Sequence, residues 1–240
     1  MKLHTLTILL PTYNEADNIV PLVKALLKEL PETVTLLVLD DRSPDGTALR
    51  VETFIQTSKT KRVQILIRPK HPGLTNSLRD GIRRTRTEAV GWMDCDFSHP
   101  PEVMRALYNR FNASTDIVIA SRFARGGKQK SGESEAGARL SSLLNSLCRI
   151  FFGRSITDYT TGFLIAKRTV LKDIPLRGSY GEYCIDFLVR AKRKGYTIEE
   201  VPFISPPRRF GTSKTAPNFR MLLVRGLGYA KTFIRLIVER

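Results

Sequence analysis

The 240-residue chain has only three cysteines, Cys95, Cys148 and Cys184, and they lie far apart. Their spacing fits neither a disulfide framework nor a zinc site, so the sequence predicts a reducing compartment with at least one free thiol. Long apolar runs are also missing. No stretch approaches the roughly 18 apolar residues that a membrane-spanning helix needs. The apolar run over 1–10 ends at Pro11 and is too short for a signal peptide, so we expect neither segment.

The chain also lacks two common phosphate-binding motifs. It contains no G-x-G-x-x-G and no G-x-x-x-x-G-K-[ST], which argues against a dinucleotide site of the Rossmann type and against a P-loop. Histidine is scarce, and His4, His71 and His99 do not have the spacing of metal ligands. His99 follows Asp96 by three residues and is a candidate for the edge of a site. No Ser/His/Asp or Cys/His set is visible.

Acidic residues are outnumbered: 39 Lys and Arg face 23 Asp and Glu, which gives a net charge of +16. An excess of this size predicts an anionic partner, which could be nucleic acid, an anionic lipid surface or a phosphorylated substrate. A nucleic-acid-binding protein would show clustered cations interleaved with exposed aromatic residues. Because the cations are spread along this chain, we expect no nucleic-acid partner.

What the first half does contain is an alternation of strands and helices. The predicted strands are 5–10, 35–39, 63–67, 88–93 and 115–120, and the helices between them are 19–30, a helix from about 45, 73–86 and 100–111. This alternation predicts an α/β fold, a mostly parallel sheet with helices on both faces. In the second half, we predict a loop over 122–138, helices over 139–152 and 182–194, a strand over 196–203, a basic loop over 206–217 and a terminal helix over 218–240.

Three polar loops follow predicted strands, namely 11–15, 40–47 and 94–99. Ligands of parallel sheets bind beyond the carboxyl ends of the strands, so these loops predict the site. In the third loop, Asp94 and Asp96 suit a hard cation such as Mg²⁺ or Mn²⁺, with a solvated turn as the alternative. In the second loop, Ser43 or Asp45 is expected to cap the next helix. A nucleoside could supply hydrogen-bond partners to the adjacent carboxylates at 40–41.

Six short motifs occur in order along the chain. They are P-T-Y-N-E at 11–15, D-D-x-S-P-D-G-T at 40–47, D-x-D-x-S-H-P-P-E at 94–102, S-R-F-x-x-G-G at 121–127, D-x-T-T-G-F at 158–163 and R-x-x-G-x-S-K at 208–214. Together they resemble the inverting GT-A glycosyltransferases of family 2, specifically the polyprenyl-phosphate branch of the dolichol-phosphate mannose synthases. Each motif alone is weak, but the joint pattern is specific. The resemblance implies a GT-A catalytic domain over 1–217, followed by the basic amphipathic helix over 218–240.

The resemblance also implies roles for single residues. The nucleotide pocket would be lined by Pro11, Tyr13, Glu15, Leu39 and Asp41, with Asp41 reading the base. Mg²⁺ or Mn²⁺ would be held against the diphosphate by Asp94, Asp96 and Ser98, with Cys95 beside them in the donor site. The phosphates of donor and acceptor would be bound by Arg122, Arg139, Arg208 and Lys214. Of these residues, Asp96, Arg208 and Lys214 would be the catalytic ones.

The reaction implied by the resemblance is sugar transfer with inversion from a nucleotide-sugar donor to the phosphate of a polyprenol or dolichol. GDP-mannose is the favoured donor; a UDP-sugar such as UDP-glucose, a non-lipid acceptor and an inactive subunit are the alternatives. Such an enzyme would work as a peripheral protein at the cytoplasmic face of a membrane, with a separate membrane-anchor subunit as a possible partner. Two departures, Glu182 where some relatives have Lys and Asp186 in place of Glu, put sugar or acceptor contacts on that side in question.

The terminal helix has two interpretations. Its apolar residues are interleaved with basic ones, which is typical of a helix that lies in a lipid interface. The same pattern fits a helix packed on the domain with its cations solvated.

Overall fold

The computed structural model of the chain describes residues 5–68, 72–129, 135–211 and 219–239. The strands in these ranges are β1 (Leu6–Thr12), β2 (Val34–Asp40), β3 (Val63–Ile67), β4 (Ala89–Trp92), β5 (Ile117–Ser121), β6 (Lys128–Gln129), β7 (Leu164–Lys167), β8 (Ile198–Pro202) and β9 (Ile204–Ser205). The helices are α1 (Ala16–Glu29), α2 (Thr47–Ser58), α3 (Leu74–Arg84), α4 (Pro101–Arg110), α5 (Glu135–Phe152), α6 (Arg168–Asp173), α7 (Glu182–Arg193) and α8 (Phe219–Val238).

Seven strands form one sheet in the order β3-β2-β1-β4-β7-β5-β8. Their pairings are parallel except those of β7, which runs antiparallel to β4 and β5. The strands β6 and β9 form a separate parallel pair. The central strands are apolar and buried along nearly their whole length, as expected for a sheet covered on both faces. The predicted α/β fold is confirmed.

Two hydrophobic cores lie on the two faces of the sheet. In β2, Leu37 and Leu39 point to one core, while Leu36 and Val38 point to the other, because successive side chains of a strand alternate. The helices α3, α5, α6, α7 and α8 contribute to the first core, and α1, α2 and α4 to the second. The carboxyl ends of β1, β2 and β4 therefore meet at one uncovered edge.

The cysteines lie within this packed interior. Cys95, Cys148 and Cys184 are free thiols, and all three are buried. Burial raises the pKa of Cys148 and Cys184 to about 12. These two thiols therefore stay protonated and unreactive at neutral pH.

The second half departs from the prediction at three places. The strand β7 and the helix α6 were not predicted, because elements of four and six residues are too short to give a periodic signal. The predicted loop over 122–138 contains β6 and the first residues of α5, whose polar and glycine-containing start hides the helical pattern. The packing of β7 against β4 also needs a glycine. A Cβ atom at Gly91 would lie 3.0 Å from the carbonyl oxygen of Leu164.

The terminal helix α8 packs on α7. The carboxylate of Asp186 is fully buried and accepts hydrogen bonds from Arg190, 2.8 Å away, and from Arg235 of α8, 2.7 Å away. Leu236 is buried in the same contact. Asp186 is therefore an anchor for α8 and not a sugar contact. Among the helices that the structure describes, none combines the length and apolar character needed to cross a bilayer.

Removal of this anchor should loosen α8. We expect Asp186→Ala to lower the free energy of unfolding by about 3 kcal/mol, because two guanidinium groups lose a buried partner. Urea denaturation measures the loss, and limited proteolysis should show earlier cleavage within α8. The control is Asp173→Ala, which removes an exposed ion pair with Lys194 and should leave stability unchanged. Equal stabilities of the two variants would contradict the anchor role.

Candidate active site

The three predicted loops meet at the uncovered edge of the sheet and enclose a cavity of about 600 Å³. Of the predicted site residues, the cavity is lined by Pro11, Tyr13, Glu15, Asp41, Asp94, Cys95, Asp96 and Arg208. The sequence therefore placed most of the site correctly in space. The chemical roles of these residues stay predictions.

Hydrogen bonds hold the first loop against the second. The backbone N–H of Asn14 donates to the Ser43 hydroxyl over 3.0 Å, and that of Ala16 donates to the Asp45 carboxylate over 3.0 Å. The other oxygen of Asp45 accepts from the backbone and hydroxyl of Thr47. Asp45 thus satisfies the first N–H of α1 and ties it to α2. This cross-link keeps the loops in register with each other.

The expected capping of α2 comes from Asp45 and not from Ser43. The residue at the N-cap position is Gly46, with φ +84°, and it makes no side-chain cap. Asp45, one residue earlier, accepts a hydrogen bond from the N–H of Thr47, the first residue of α2, whereas Ser43 binds the first loop. Burial alone would raise the pKa of Asp45, but hydrogen bonds from Thr47 and Ala16 hold it below its ordinary value.

The two adjacent carboxylates of the second loop have different surroundings. Asp40 is fully buried and accepts hydrogen bonds from the hydroxyl groups of Thr12, at 3.0 Å, and Ser43, at 2.6 Å. Protein groups therefore satisfy Asp40, and the hypothesis that a nucleoside must do so is not needed there. Asp40 supports the loop, and Asp41 alone reaches the cavity.

Asp41 lies between two groups that sequence reasoning missed. Its carboxylate forms an ion pair with the buried Arg68 and accepts a 2.7 Å hydrogen bond from the N–H of Gly73, which precedes α3. Gly73 has φ +126°, a conformation that favours glycine. The carboxylate is thus fixed in position at the cavity wall.

Leu39 does not line the cavity. Its side chain is fully buried on the α3 side of the sheet, where a Cβ atom at Gly81 would lie 2.8 Å from it. The prediction that Leu39 contacts the nucleotide is wrong because its side chain packs beneath the helix rather than at the strand end.

Asp96 is the most constrained acid of the third loop. It is 4% exposed, and its carboxylate accepts hydrogen bonds from the backbone and hydroxyl of Ser98. Its second oxygen lies 2.7 Å from the guanidinium of Arg208. Burial alone would raise the pKa of Asp96, but the Ser98 hydrogen bonds and the Arg208 charge hold it below its ordinary value. Asp96 is therefore ionised at neutral pH.

Arg208 connects the basic loop to the sheet edge. Besides Asp96, it reaches the carboxylate of Glu15 over 3.3 Å. The next residue, Arg209, donates its backbone N–H to the carbonyl of Asp96 over 2.9 Å. A residue more than a hundred positions away in sequence is thus held directly over the third loop.

Asp94 differs from Asp96 in exposure. Its side chain is 53% exposed and lines the cavity. Its backbone N–H donates to Nδ1 of His99 over 2.9 Å, and the His99 ring stacks on Phe163 with the centroids 4.5 Å apart. His99 therefore positions the loop from below, consistent with its predicted place at the edge of the site.

The predicted metal ligands suit a cation that is bound together with a phosphorylated substrate. The described residues contain no cluster of three or more His, Cys, Asp or Glu side chains that could hold a metal alone. Asp94 and Asp96 offer carboxylate oxygens, and Ser98 lies against Asp96. Mg²⁺ is commonly held by one or two carboxylates together with substrate phosphates, and this donor set fits that pattern.

Three predicted phosphate-binding residues lie elsewhere or outside the described parts. Arg122 does not line the cavity but pairs with the buried carboxylate of Asp158, 2.8 Å away, and with the hydroxyl of Thr160. This pair joins two of the sequence motifs and explains their co-occurrence. Lys214 lies outside the described residues. Arg139 lies on α5, and its side chain is not described.

The departure at Glu182 has a structural explanation. Its carboxylate accepts a 2.8 Å hydrogen bond from the N–H of Ser179 and a 3.2 Å bond from that of Tyr180. Glu182 therefore caps the turn before α7. That turn carries Tyr180 to the cavity, where Arg225 of α8 joins it. No sequence motif pointed to these two residues.

Residues 7–175 match the model of the family described as Glycosyl transferase family 2. The chain belongs to this family. A polyprenol monophosphomannose synthase from Mycolicibacterium smegmatis is 33% identical over 214 residues, 86% of this chain and 79% of that protein. An undecaprenyl-phosphate mannosyltransferase from Micrococcus luteus is 32% identical over 86% of this chain and 85% of its own length. A dolichol-phosphate mannosyltransferase from Pyrococcus furiosus is 28% identical over 87% of this chain and 58% of its own length.

Solved structures confirm the GT-A-like fold of this glycosyltransferase. Glucosyl-3-phosphoglycerate synthase from Mycobacterium tuberculosis, in complex with Mn²⁺, UDP and glucosyl-3-phosphoglycerate, matches with a TM-score of 0.72 over 98% of this chain and 80% of that chain. The same enzyme with Mg²⁺ and UDP also gives 0.72, over 98% of this chain and 79% of that chain. The identities are 19% and 18%, so the likeness concerns the fold alone.

The Asp45 cross-link gives a pH-dependent prediction. Because the folded-state pKa of Asp45 is lowered, its stabilising effect is present above the ordinary pKa and lost as the pH falls through the folded value. We expect Asp45→Asn, which turns an acceptor into a donor facing N–H groups, to cost about 1 kcal/mol at pH 7. Urea denaturation should show the gap to wild type shrinking below about pH 4. A gap that persists at pH 3, or none at pH 7, would contradict this account.

Proposed function

We propose that this glycosyltransferase transfers mannose from GDP-mannose to the phosphate of a polyprenol, with inversion at the anomeric carbon. The observation that carries the proposal is the cavity in which Asp94, Asp96 and Arg208 meet at the carboxyl edge of the sheet. This arrangement offers anionic oxygens for a cation and a guanidinium for phosphate. The relatives named as polyprenol-phosphate and undecaprenyl-phosphate mannosyltransferases support the choice of sugar and acceptor.

The chemistry makes modest demands on the protein. The acceptor phosphate is already an anion at neutral pH, so the attacking oxygen needs no strong general base. The difficult part is the departure of the nucleoside diphosphate from the anomeric carbon. A divalent cation held by Asp94 and Asp96 would supply Lewis-acid stabilisation of that leaving group. Arg208, positioned beside Asp96, would add a second positive charge to the developing anion.

The remaining cavity residues would bind and orient the donor. Asp41, fixed by Arg68 and Gly73, presents a carboxylate to hydrogen-bond donors of the nucleoside. Tyr13 lies at the rim, half exposed, where its ring can cover the nucleoside. Holding the donor and the acceptor phosphate in line reduces the entropic part of the barrier.

Access to a lipid acceptor would come through an exposed apolar patch formed by α5 and α8. The patch consists of Ile150, Phe151, Leu227, Ile234 and Val238, which are 57–77% exposed. The ring of Phe151 packs edge-on against Phe233, with centroids 5.3 Å apart, which places the end of α5 beside α8. Soluble surfaces rarely carry such patches without a binding partner.

The charges around the patch suit an anionic membrane surface. Arg149 and Arg154 are exposed next to its apolar residues. Cations near an anionic leaflet contribute about 1 kcal/mol each, and apolar side chains enter the interface. Both interpretations of the terminal helix thus have support, since one face packs on α7 and the other faces outward. We place the enzyme peripherally at the cytoplasmic face, where a reducing environment suits three free thiols.

The proposed reaction is tested by transfer of labelled sugar to undecaprenyl phosphate in detergent, with GDP-mannose or UDP-glucose and with Mn²⁺, Mg²⁺ or EDTA. We expect metal-dependent product from GDP-mannose. Asp96→Asn should lower the rate at least about 100-fold, because it removes a carboxylate that would hold the cation at the reacting diphosphate. The control Asp17→Asn changes an exposed carboxylate outside the cavity and should retain activity.

The other outcomes separate the donor from the acceptor. Product from UDP-glucose alone would replace the donor and keep the mechanism. Lipid-linked product from neither sugar would contradict the proposed function.

The patch gives a separate prediction. We expect Leu227→Glu to weaken binding to anionic liposomes at least about tenfold in a sedimentation assay, because a carboxylate replaces an apolar side chain at the interface. The control is Leu49→Glu, since Leu49 on α2 is 67% exposed against 71% for Leu227 but lies outside the patch. Unchanged liposome binding of Leu227→Glu would contradict the role of the patch in membrane attachment.

A further inference from the structure

One wall of the cavity is formed by residues outside the sequence motifs. Tyr180, in the turn before α7, and Arg225, on α8, line the same cavity as Asp96 and Arg208. The guanidinium carbon of Arg225 lies 3.8 Å from the centroid of the Tyr180 ring. This stacking is a cation–π contact. The terminal helix therefore brings a positive charge into the site that the catalytic-domain motifs do not account for.

The turn that carries Tyr180 is held in place by several hydrogen bonds. Glu182 accepts hydrogen bonds from the N–H groups of Ser179 and Tyr180, and the hydroxyl of Thr75 on α3 donates to the carbonyl of Tyr180 over 3.2 Å. The turn is thus tied both to α7 and to the helix that follows Gly73. The ring of Tyr180 therefore gives Arg225 a fixed stacking surface.

The helix that carries Arg225 is equally constrained. Arg235 of α8 binds the buried Asp186 of α7 over 2.7 Å. Near the other end of the contact, a Cβ atom at Gly181 would lie 2.3 Å from the hydroxyl of Tyr229. Any larger residue at this position would displace the Tyr229 side chain from its present place. The guanidinium of Arg225 is therefore positioned before any ligand arrives.

We propose that Arg225 binds the phosphate of the acceptor, a phosphate monoester of an isoprenoid alcohol; this inference rests on the proposed function. In the proposed function, the donor diphosphate is already served by Arg208 and by a cation at Asp94 and Asp96, which line the same cavity. Arg225 supplies a second cationic position, and guanidinium groups bind phosphate oxygens in pairs.

The position of Arg225 on α8 favours the acceptor over the donor. Arg225 and the exposed Leu227 of the apolar patch lie two residues apart on α8, so their side chains project to nearly opposite sides of the helix. The side of α8 that faces the cavity carries Arg225, and the outer side carries the apolar patch. A membrane bound at the patch would therefore lie about 10 Å, one helix diameter, from Arg225, so a lipid phosphate would approach the cavity past this helix, whereas a nucleotide sugar arrives from solvent.

The test compares Arg225→Met and Arg225→Lys with the wild-type protein. Both variants keep an unbranched aliphatic stem and remove the guanidinium that stacks on Tyr180, and only lysine keeps the charge. Isothermal titration in detergent measures binding of farnesyl phosphate, with farnesol as the uncharged analogue, and of GDP with Mn²⁺. The control variant is Lys231→Gln, which removes an exposed cation from α8 outside the cavity.

We expect Arg225→Met to weaken farnesyl phosphate binding about tenfold or more, a difference typical of a lost charged hydrogen bond. Arg225→Lys should lie between this variant and the wild type. GDP binding, farnesol binding and the melting temperature should stay unchanged. In the transfer assay, the KM for the lipid phosphate should rise more than kcat falls. Lys231→Gln should bind farnesyl phosphate as the wild type does.

Three outcomes would overturn the assignment. If Arg225→Met weakens GDP binding and leaves farnesyl phosphate binding unchanged, Arg225 belongs to the donor site. If Lys231→Gln and Arg225→Met weaken farnesyl phosphate binding equally, the positive charge of α8 as a whole attracts the phosphate and Arg225 has no specific role. Unchanged binding of both ligands would remove Arg225 from the site. A wild-type protein that binds farnesyl phosphate through Arg225 but forms no lipid-linked sugar would instead contradict the proposed function and leave this inference standing.

Discussion

Crowding of negative charge at one edge of the sheet is the constraint on which the site depends. The acids that converge there are Glu15, Asp40, Asp41, Asp45, Asp94 and Asp96. Carboxylates taken out of water without partners would be strongly destabilising. Hydroxyl groups satisfy the buried Asp40, backbone N–H groups bind Asp45, and Arg68 pairs with Asp41. Arg208 then bridges Asp96 and Glu15. These hydrogen bonds and ion pairs therefore largely determine how the loops are arranged.

The same charges serve the proposed reaction. Asp96 requires a positive neighbour whether or not a substrate is present, and in the substrate-free chain Arg208 provides it. When a cation and a diphosphate bind together, the carboxylate would bind the cation and the guanidinium would bind the diphosphate. Part of the positive charge of the chain lies at this cavity, in Arg208 and Arg225, and part lies beside the apolar patch, in Arg149 and Arg154. Both locations suit an acceptor that is at once a phosphate and a lipid.

The sequence predicted the parallel strands and the polar loops well, because apolar strands and strand-end acids are local signals. It failed where placement depends on distant partners. Leu39 was assigned to the nucleotide pocket, but strand alternation and α3 turn it into the core. Arg122 is predicted to bind phosphate, but its guanidinium forms an ion pair with the buried Asp158. In the sequence, Arg225 is only one of the basic residues of the amphipathic terminal helix, because its contact with Tyr180 forms only when α8 packs on the domain. No linear motif encodes such contacts.

The chain contains a single tryptophan, Trp92, and its location has a practical consequence. It ends β4, two residues before Asp94, and is buried. Its indole N–H donates to the hydroxyl of Tyr183 over 2.8 Å, at the start of the helix that carries the Tyr180 turn. The indole therefore lies between the acidic loop and the opposite wall of the cavity. Its intrinsic fluorescence is a label-free optical reporter of that region, with no second tryptophan to obscure the signal.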